Sequence, residues 1–368
     1  MLSEPLGSVL VVGGCGFLGY QIVSLLVNEP NCSVSVLSRN PGKQRVAGVS
    51  YYACDVTEID SLRPLLLEIR PRIILYTASP NFYEDEVDKA LLHLVNVVGT
   101  QNLLDVAKTT ESVKAFIYTS SSSVHAGSEF HFITEEAPLL DRSSKSSEYA
   151  ITKALADTMV LRANCQELLT LCLRPPVIYG ERDGQLIPGV LAVLRDKKTN
   201  IQLGDNTNLY DSIYVGNAAS AHITAAKALL TNDTPRLKVD GEAFFVTDDA
   251  PIPFWDFQRK IWAAAGDETP LTKVYVIPAW IGMAIATMVE YLFRVFTLDQ
   301  KLPPKTLRRD VLQYAFTNRT LCIDKAKERL GYKPLIGTDE GIKRGVQWAL
   351  QNQAHEDVTK AGMERKKG

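Results

Sequence analysis

The sequence predicts an α/β fold: a doubly wound parallel sheet with a smaller, mostly helical lid towards the C-terminus. Three observations carry this. Apolar, β-favouring runs alternate with segments of helical period, which implies a parallel sheet covered on both faces. The first run, Val9–Val12, leads straight into glycines at three-residue spacing, Gly13, Gly16 and Gly19, and then into an amphipathic helix, Tyr20–Val27. The residues able to do chemistry follow the ends of the predicted strands, where ligands of open α/β sheets sit.

Strand, glycine turn and helix in that order form a dinucleotide fingerprint, so the fold is of Rossmann type. Gly13 makes the tight turn, Gly16 lets the backbone approach a pyrophosphate, and Gly19 lets the helix lie against the strand. The helix N-terminus offers free N–H groups and a positive dipole end to phosphates. Ser33–Leu37 is the second strand. Such folds place an acid after it to hold the ribose hydroxyls, but here Ser38 and Arg39 follow. A serine removes the charge that would repel a 2′-phosphate and an arginine can bond it, so NADP is favoured over NAD. Against this stands a solvated Arg39 with NAD bound.

Val49–Ala53 is a third strand, followed by Asp55, placed to meet the adenine. Arg72–Tyr76 is a fourth and ends in Thr77, Ala78, Ser79 and Pro80, small enough to pass close to a cofactor. Leu91–Lys108 has helical period throughout. It carries Asn96, which either bonds backbone at the sheet or orders an active-site water. Lys114–Thr119 is a fifth strand and runs into the serines Ser120–Ser123. Another helix begins at Ser147, Thr170–Leu173 is a sixth strand, and Phe244–Thr247 is a further one. The expected division is a nucleotide-binding domain over 1–180 with 206–247 returning to it, a lid from 181–205 and 248–350, and a frayed polar tail over 351–368.

The chain has 368 residues, 46% hydrophobic and 22% charged, with a formal net charge of −2. That composition is ordinary for a globular protein and gives nucleic acid no bulk attraction. Six cysteines lack metal-ligand spacing, which points away from zinc and to a reduced, intracellular setting. No basic-then-apolar leader precedes the first strand, so no secretory signal is expected.

Tyr149 and Lys153 are four apart on a helix and share a face. A free phenol titrates near pH ~10 and is a poor base at neutrality. An ammonium ~4 Å away at an effective dielectric of ~20 is worth about 4 kcal/mol towards the phenolate. Tyr149 could then take the proton of a secondary alcohol as hydride leaves its carbon. The serine run supplies a hydroxyl to orient the substrate oxygen. His125 and His222 are read as structural, because the phenol–ammonium pair already supplies the base.

The glycine motif, Thr77–Pro80, Val95–Thr100, Tyr118–Ser121, Tyr149–Lys153 and Leu173–Pro175 together resemble an extended short-chain dehydrogenase/reductase. Tyr179-Gly180-Glu181-Arg182-Asp183, Asn217 with His222, Pro251–Trp255, Ile277–Trp280 and Leu330–Pro334 narrow the resemblance to the 3β-hydroxysteroid dehydrogenase family, over about residues 8–350. Within it, the chain is most similar to the sterol-4α-carboxylate 3-dehydrogenase (decarboxylating) branch. The resemblance implies that Ser121, Tyr149 and Lys153 are catalytic, and that a 3β-hydroxyl on a steroid or polycyclic terpenoid is oxidised to the ketone. In the sterol branch, loss of CO₂ from C4 follows. The cofactor set assigned is Gly13, Gly16, Phe17, Leu18, Gly19, Ser38, Arg39, Asp55, Val56, Ala78, Ser79, Asn96, Tyr149, Lys153, Pro175 and Val177, with no metal. Ser38 departs from the sterol branch, which usually has an acid there. The alternatives kept are a flavonoid or nucleotide-sugar reductase or epimerase, and a non-catalytic nucleotide-binding protein.

Val274–Val289 has no charged residue, and a helix from Ala279 to Thr297 would be about 28 Å long at ~1.5 Å per residue. The segment fits three readings: a buried lid helix, a helix lying on a membrane surface, and a full span. Glu290 and Arg294 make the span the least favoured. The expected partners are a polycyclic lipid, a membrane surface through 274–297 and a second copy of the chain in a homodimer. The expected location is intracellular, in the cytoplasm or on the cytoplasmic face of the endoplasmic reticulum.

Overall fold

A computed structural model describes residues 5–42, 45–80, 88–231, 238–297, 303 and 308–364, with the backbone alone at 310 and 354–364. Seven parallel strands form the main sheet, in the spatial order Glu242–Phe245, Leu169–Arg174, Ala115–Thr119, Ile73–Tyr76, Gly7–Val12, Cys32–Ser38, Ser50–Ala53. These are the seven segments read as strands, with shifts of one or two residues at their ends. The chain builds outward from Gly7–Val12 in one direction, then returns to its other side with Ile73–Tyr76. The order therefore reverses between those two strands, where such sheets bind their ligands.

Side chains alternate across each strand, so one strand feeds two cores. Val9, Val11, Ile73, Leu75, Ile117 and Leu171 join one apolar cluster; Leu10, Val12, Ile74, Tyr76, Phe116 and Cys172 join the other. Helices Phe17–Leu26 and Val215–Leu230 pack into the first, and Ile59–Ile69, Gly99–Thr109 and Glu148–Arg162 into the second. This is the two-faced covering that the near-continuous apolar strands imply.

The long helix expected over 91–108 is interrupted. Lys89–His93 is α-helical, Leu94–Val98 is a π-helical turn, and Gly99–Thr109 is α-helical again. The cause is local. The Gly99 N–H donates to Leu94 O, and the Val95 carbonyl accepts from the Tyr76 hydroxyl at 3.0 Å. A Cβ at Gly99 would come within 2.7 Å of Val56 Cγ2, so glycine is what fits there. Apolar spacing carries no signal for one extra residue in a turn.

The part beyond Gly180 is helical, as expected, but short strands tie it down. Leu209–Tyr210, Ile252–Pro253, Arg319–Leu321 and Phe130–Ile133 make a second sheet. Ile201–Leu203 pairs with Tyr275–Ile277. Two- and three-residue strands are below what periodicity can reveal. The stretch expected to fray instead continues the helix Thr338–Glu364, which starts with Asp339 and Glu340 at its positive end. Residues 365–368 lie outside the described residues.

The helix Ala279–Thr297 forms as expected, but the buried-lid reading fails. Only Gly282 and Ala286 are buried, while Trp280 is 71% and Phe296 81% exposed. Gly282 sits over Leu203 and Phe316, and Glu290 accepts from the Arg309 N–H at 2.8 Å. The rest of the helix presents large apolar side chains outward.

Candidate active site

The glycine turn is built as its spacing demands. Gly13 has φ +87°, and a Cβ there would lie 2.7 Å from Ala78 N. A Cβ at Gly19 would lie 2.2 Å from Gly13 O, so the helix packs on the turn only without one. Gly16 caps the helix, is exposed, and would direct a Cβ near nothing but Gly13 O at 3.2 Å. Phe17 and Leu18 form the first turn behind it. The cradle is thus tight towards the protein and open on the side a diphosphate would take, which fits a dinucleotide.

The other assigned residues follow the carboxyl ends of their strands. Ser38 closes the second strand, and its carbonyl accepts from the Cys54 N–H at 3.1 Å. Arg39 is exposed beside it and makes no hydrogen bond or ion pair among the described residues. Asp55 Oδ1 accepts from the Thr57 N–H and hydroxyl, both at 2.9 Å, which fixes that turn. Val56 is buried against Gly99. Ala78 touches the glycine turn and Ser79 is exposed next to it. Pro175 accepts from the Ser122 N–H at 2.9 Å, and Val177 opens a strand paired with Ser212–Tyr214.

The Asn96 side chain bonds other side chains rather than backbone at the sheet. It is buried in the π-helical turn and bonds side chains from two other elements. Its Oδ1 accepts from the Ser79 hydroxyl at 3.0 Å, and its Nδ2 donates to Thr152 Oγ1 at 3.1 Å. Thr152 in turn donates to the Glu148 and Tyr149 carbonyls. Asn96 therefore locks the end of the fourth strand to the helix that carries Tyr149.

Tyr149 and Lys153 lie on the helix Glu148–Arg162, capped by Ser147, whose Oγ accepts from the Ala150 N–H. Ser121 sits at the carboxyl end of Ala115–Thr119 and shares a hydrogen bond with the Ser123 hydroxyl at 2.9 Å. Burial pushes the Tyr149 phenol up to about 12, and the hydrogen bond with Ser121 pulls it down. Burial brings Lys153 down to about 7. The lysine also has partners that the spacing did not reveal. Its Nζ donates to Thr119 O at 2.7 Å and to the Tyr118 hydroxyl at 3.2 Å, and lies 4.6 Å from the Tyr118 ring centre. A buried ammonium takes the nearest good acceptors, and a strand-end carbonyl is one.

Sequence reasoning missed the support behind this pair. Asp157, four residues after Lys153, is fully buried and holds Arg174 with two bonds, Nε–Oδ2 at 2.9 Å and Nη2–Oδ1 at 2.7 Å. The arginine also meets His125 Nε2 at 3.2 Å and donates to Glu135 O. The 149, 153, 157 spacing, which puts Asp157 on the same helix face, is the signal that could have found it. His222 bonds Thr119 Oγ1 and Ala218 O, both at 2.7 Å. Burial brings both histidines down to about 4, so each is a neutral, bonded group as expected.

An apolar-walled groove of about 650 Å³ opens beside Glu148, lined by Leu91, Leu94 and Ala90 with Lys89 and His93 at its edges.

The family model for the 3-beta hydroxysteroid dehydrogenase/isomerase family matches residues 10–276. The chain is 34% identical over 358 residues to a sterol-4-alpha-carboxylate 3-dehydrogenase, decarboxylating, of Schizosaccharomyces pombe, covering 95% of this chain and 100% of that one. The human protein of that name is 31% identical over 339 residues, covering 92% and 87%. Among solved structures, the Bordetella bronchiseptica enzyme WbmH in complex with NAD+ aligns with TM-score 0.70 at 14% identity, over 94% of this chain and 99% of that one. A Thermotoga maritima UDP-glucose 4-epimerase aligns with TM-score 0.68 at 19% identity, over 94% and 99%. These two likenesses speak for the fold. Family match, sheet order and glycine turn agree, and the chain belongs to the 3-beta hydroxysteroid dehydrogenase/isomerase family.

Proposed function

We propose that the protein is an oxidoreductase that oxidises the 3β-hydroxyl of a 4-carboxysterol to the ketone, with loss of the C4 carboxylate as CO₂. The observation that carries this reading is the convergence of Ser121, Tyr149 and Lys153 at the carboxyl edge of the sheet, beside the glycine cradle, in a chain whose full-length relatives are named for that reaction. The low-identity likeness to epimerases concerns the fold alone, so that alternative is not favoured.

A nicotinamide coenzyme, held by Gly13–Gly19 and by Ser38, Arg39, Asp55 and Ala78, supplies the hydride acceptor when bound. The remaining work falls to the chain. Ser121 orients the substrate oxygen and lowers the Tyr149 pKa by its hydrogen bond. Tyr149 takes the hydroxyl proton at its phenolic oxygen as hydride leaves C3. Lys153, one helical turn after Tyr149 on the same helix, is anchored on Thr119 and Tyr118 at the end of the strand Ala115–Thr119. The product is a β-keto acid. Its C4–carboxyl bond breaks with the electron pair passing to the C3 oxygen as an enolate, which is then protonated. Exposed Arg39 next to Ser38 supports NADP as the preferred coenzyme, through a charge-assisted contact to the 2′-phosphate.

Among the described residues, Ala279–Thr297 is long and apolar enough to cross a membrane, yet only 11% of its most apolar window is buried. We infer that it lies in a lipid surface, with Trp280 and Tyr291 at headgroup level and Met288 and Phe296 deeper. A sterol substrate dissolves in that same surface, of which the cytoplasmic face of the endoplasmic reticulum is the expected one. The segments 181–205 and 248–350 serve as the lid that receives it.

Mass spectrometry of a 4-carboxylated 3β-hydroxysterol incubated with the protein and each coenzyme tests the reading. A 3-ketone one carbon shorter, formed faster with NADP than with NAD, is expected. Unchanged sterol with both, or turnover of nucleotide sugars instead, would contradict it.

A further inference from the structure

Arg319 opens the strand Arg319–Leu321 of the second sheet, opposite Tyr210 on one side and Phe130 on the other. It is half-buried, yet among the described residues no carboxylate neutralises it. Its Nη2 donates to Ser128 O at 3.3 Å, and its buried Nε has no partner. Rings surround it instead. The guanidinium carbon lies 4.2 Å from the centre of the Tyr314 ring and 5.3 Å from that of Phe130. Tyr210 extends the same aromatic wall, 5.8 Å from Tyr314 and 5.8 Å from Phe254. A cation held against apolar walls without a counter-ion is costly unless a ligand supplies one.

Its two neighbours come from informative places. Ser128 lies on the loop that runs on from the Ser121–Val124 turn. Tyr314 ends the helix Arg309–Tyr314, whose first N–H bonds Glu290 of the apolar arm, and Phe316 packs against Gly282 of that arm. Arg319 therefore connects the base of the lipid-facing arm to the loop that leaves Ser121.

We propose that Arg319 determines substrate specificity by binding the C4 carboxylate of the incoming sterol, a reading that rests on the 4-carboxysterol function above. The ligand this site asks for is an anion carried on a flat apolar body, and a 4-carboxysterol is one. The chain itself shows the matching geometry elsewhere. Arg174 grips Asp157 with Nε and Nη2, one on each carboxylate oxygen, at 2.9 and 2.7 Å. In Arg319 the same Nε is empty, and Nη2 makes one long bond to a carbonyl. That fork is what a carboxylate takes bidentately. The 3-hydroxyl and the C4 carboxylate sit on adjacent carbons, so a hold on the second fixes the first. Once CO₂ has left, the group that Arg319 holds is gone, and the neutral ketone has less to keep it from returning to lipid.

Steady-state kinetics on the full chain at saturating coenzyme would compare a 4-carboxylated 3β-hydroxysterol with its methyl ester, in the wild type, Arg319→Met and Arg319→Lys. The wild type should prefer the free acid. In Arg319→Met the ratio of kcat/KM for acid over ester should fall about ten- to a hundred-fold, the scale of hydrogen bonds to a charged group, through KM more than kcat. Arg319→Lys keeps the charge and loses the fork, so its ratio should fall less; it decides the matter alone if Arg319→Met does not fold. The melting temperature of Arg319→Met without substrate should hold or rise, since an unpaired charge is removed and an apolar chain stays against the rings. An unchanged ratio overturns the proposal, as does a wild type that turns over acid and ester equally. A lower melting temperature with equal losses on both substrates also overturns it and makes Arg319 purely structural. A wild type that oxidises neither substrate would overturn the 4-carboxysterol reading itself, and the proposal with it.

Discussion

The sheet end that carries Tyr149 and the arm at Ala279–Thr297 invert the usual distribution of residues in opposite senses. At the sheet end, charge is inside: Asp157 and Arg174 are 0% and 2% exposed, Lys153 2%. On the arm, apolar bulk is outside. A second helix makes the contrast sharper. Val215–Leu230 is also largely apolar, and it buries Ala218, Ala221, Ala225 and Leu229 against the sheet layer. Its alanines allow close packing, whereas the arm's Trp280, Met288, Tyr291 and Phe296 project away. Buried charge and exposed apolar area are the two observations that composition does not predict, and both mark where a protein meets something else.

Breaking the buried pair should have the largest effect on stability. Arg174→Met leaves Asp157 charged and unpaired in the core, and should cost about 3–5 kcal/mol. Asp157→Leu added to it removes the stranded charge and should recover most of the loss. Thermal melts of both variants check this. A single variant that melts like the wild type would mean the pair does not hold the helix to the strand.

Charging the arm should leave folding alone and change partitioning. Trp280→Glu, Met288→Lys and Phe296→Glu together should move the protein from the membrane to the soluble fraction with little change in melting temperature, since these side chains touch little of the fold. A wild-type protein that is soluble without detergent would remove the lipid reading and leave the arm as a surface for another protein.

The smallest effect is expected at Asp211, buried between Leu209–Tyr210 of the second sheet and the strand Ser212–Tyr214. Burial, with Asp249 and Asp248 adding to it, pushes its carboxyl up to about 7. In the unfolded chain it ionises near ~3.9. The folded state therefore binds its proton more tightly, and the stability this group contributes is complete below pH ~4 and lost as pH rises through about 7. Asp211→Asn keeps an acceptor for the Leu321 N–H and should remove that slope, raising the melting temperature by about 2–4 °C at pH 8 and by less at pH 5. An equal change at both pH values would assign the effect to packing.

How much of this was legible follows from the length scale of each signal. Strands of four to seven residues and their glycine turn could be read because pattern and context repeat over a dozen positions. The π-helical turn at Leu94–Val98 could not, because it depends on the Tyr76 hydroxyl arriving from another strand. The spacing of Tyr149 and Lys153 put them on one face correctly, but said nothing of Thr119 O, the acceptor that takes the lysine. Arg319 was visible only as one charge among several, since neither its bond to Ser128 O nor its contact with the Phe130 ring is local in sequence.

The most direct measurement is on Tyr149→Phe, which removes one oxygen from a half-buried side chain. The account predicts a fall in kcat/KM for the sterol of about 10³-fold, within the range for a lost acid–base group, with coenzyme Kd changed by no more than a few-fold. Turnover near that of the wild type would contradict it.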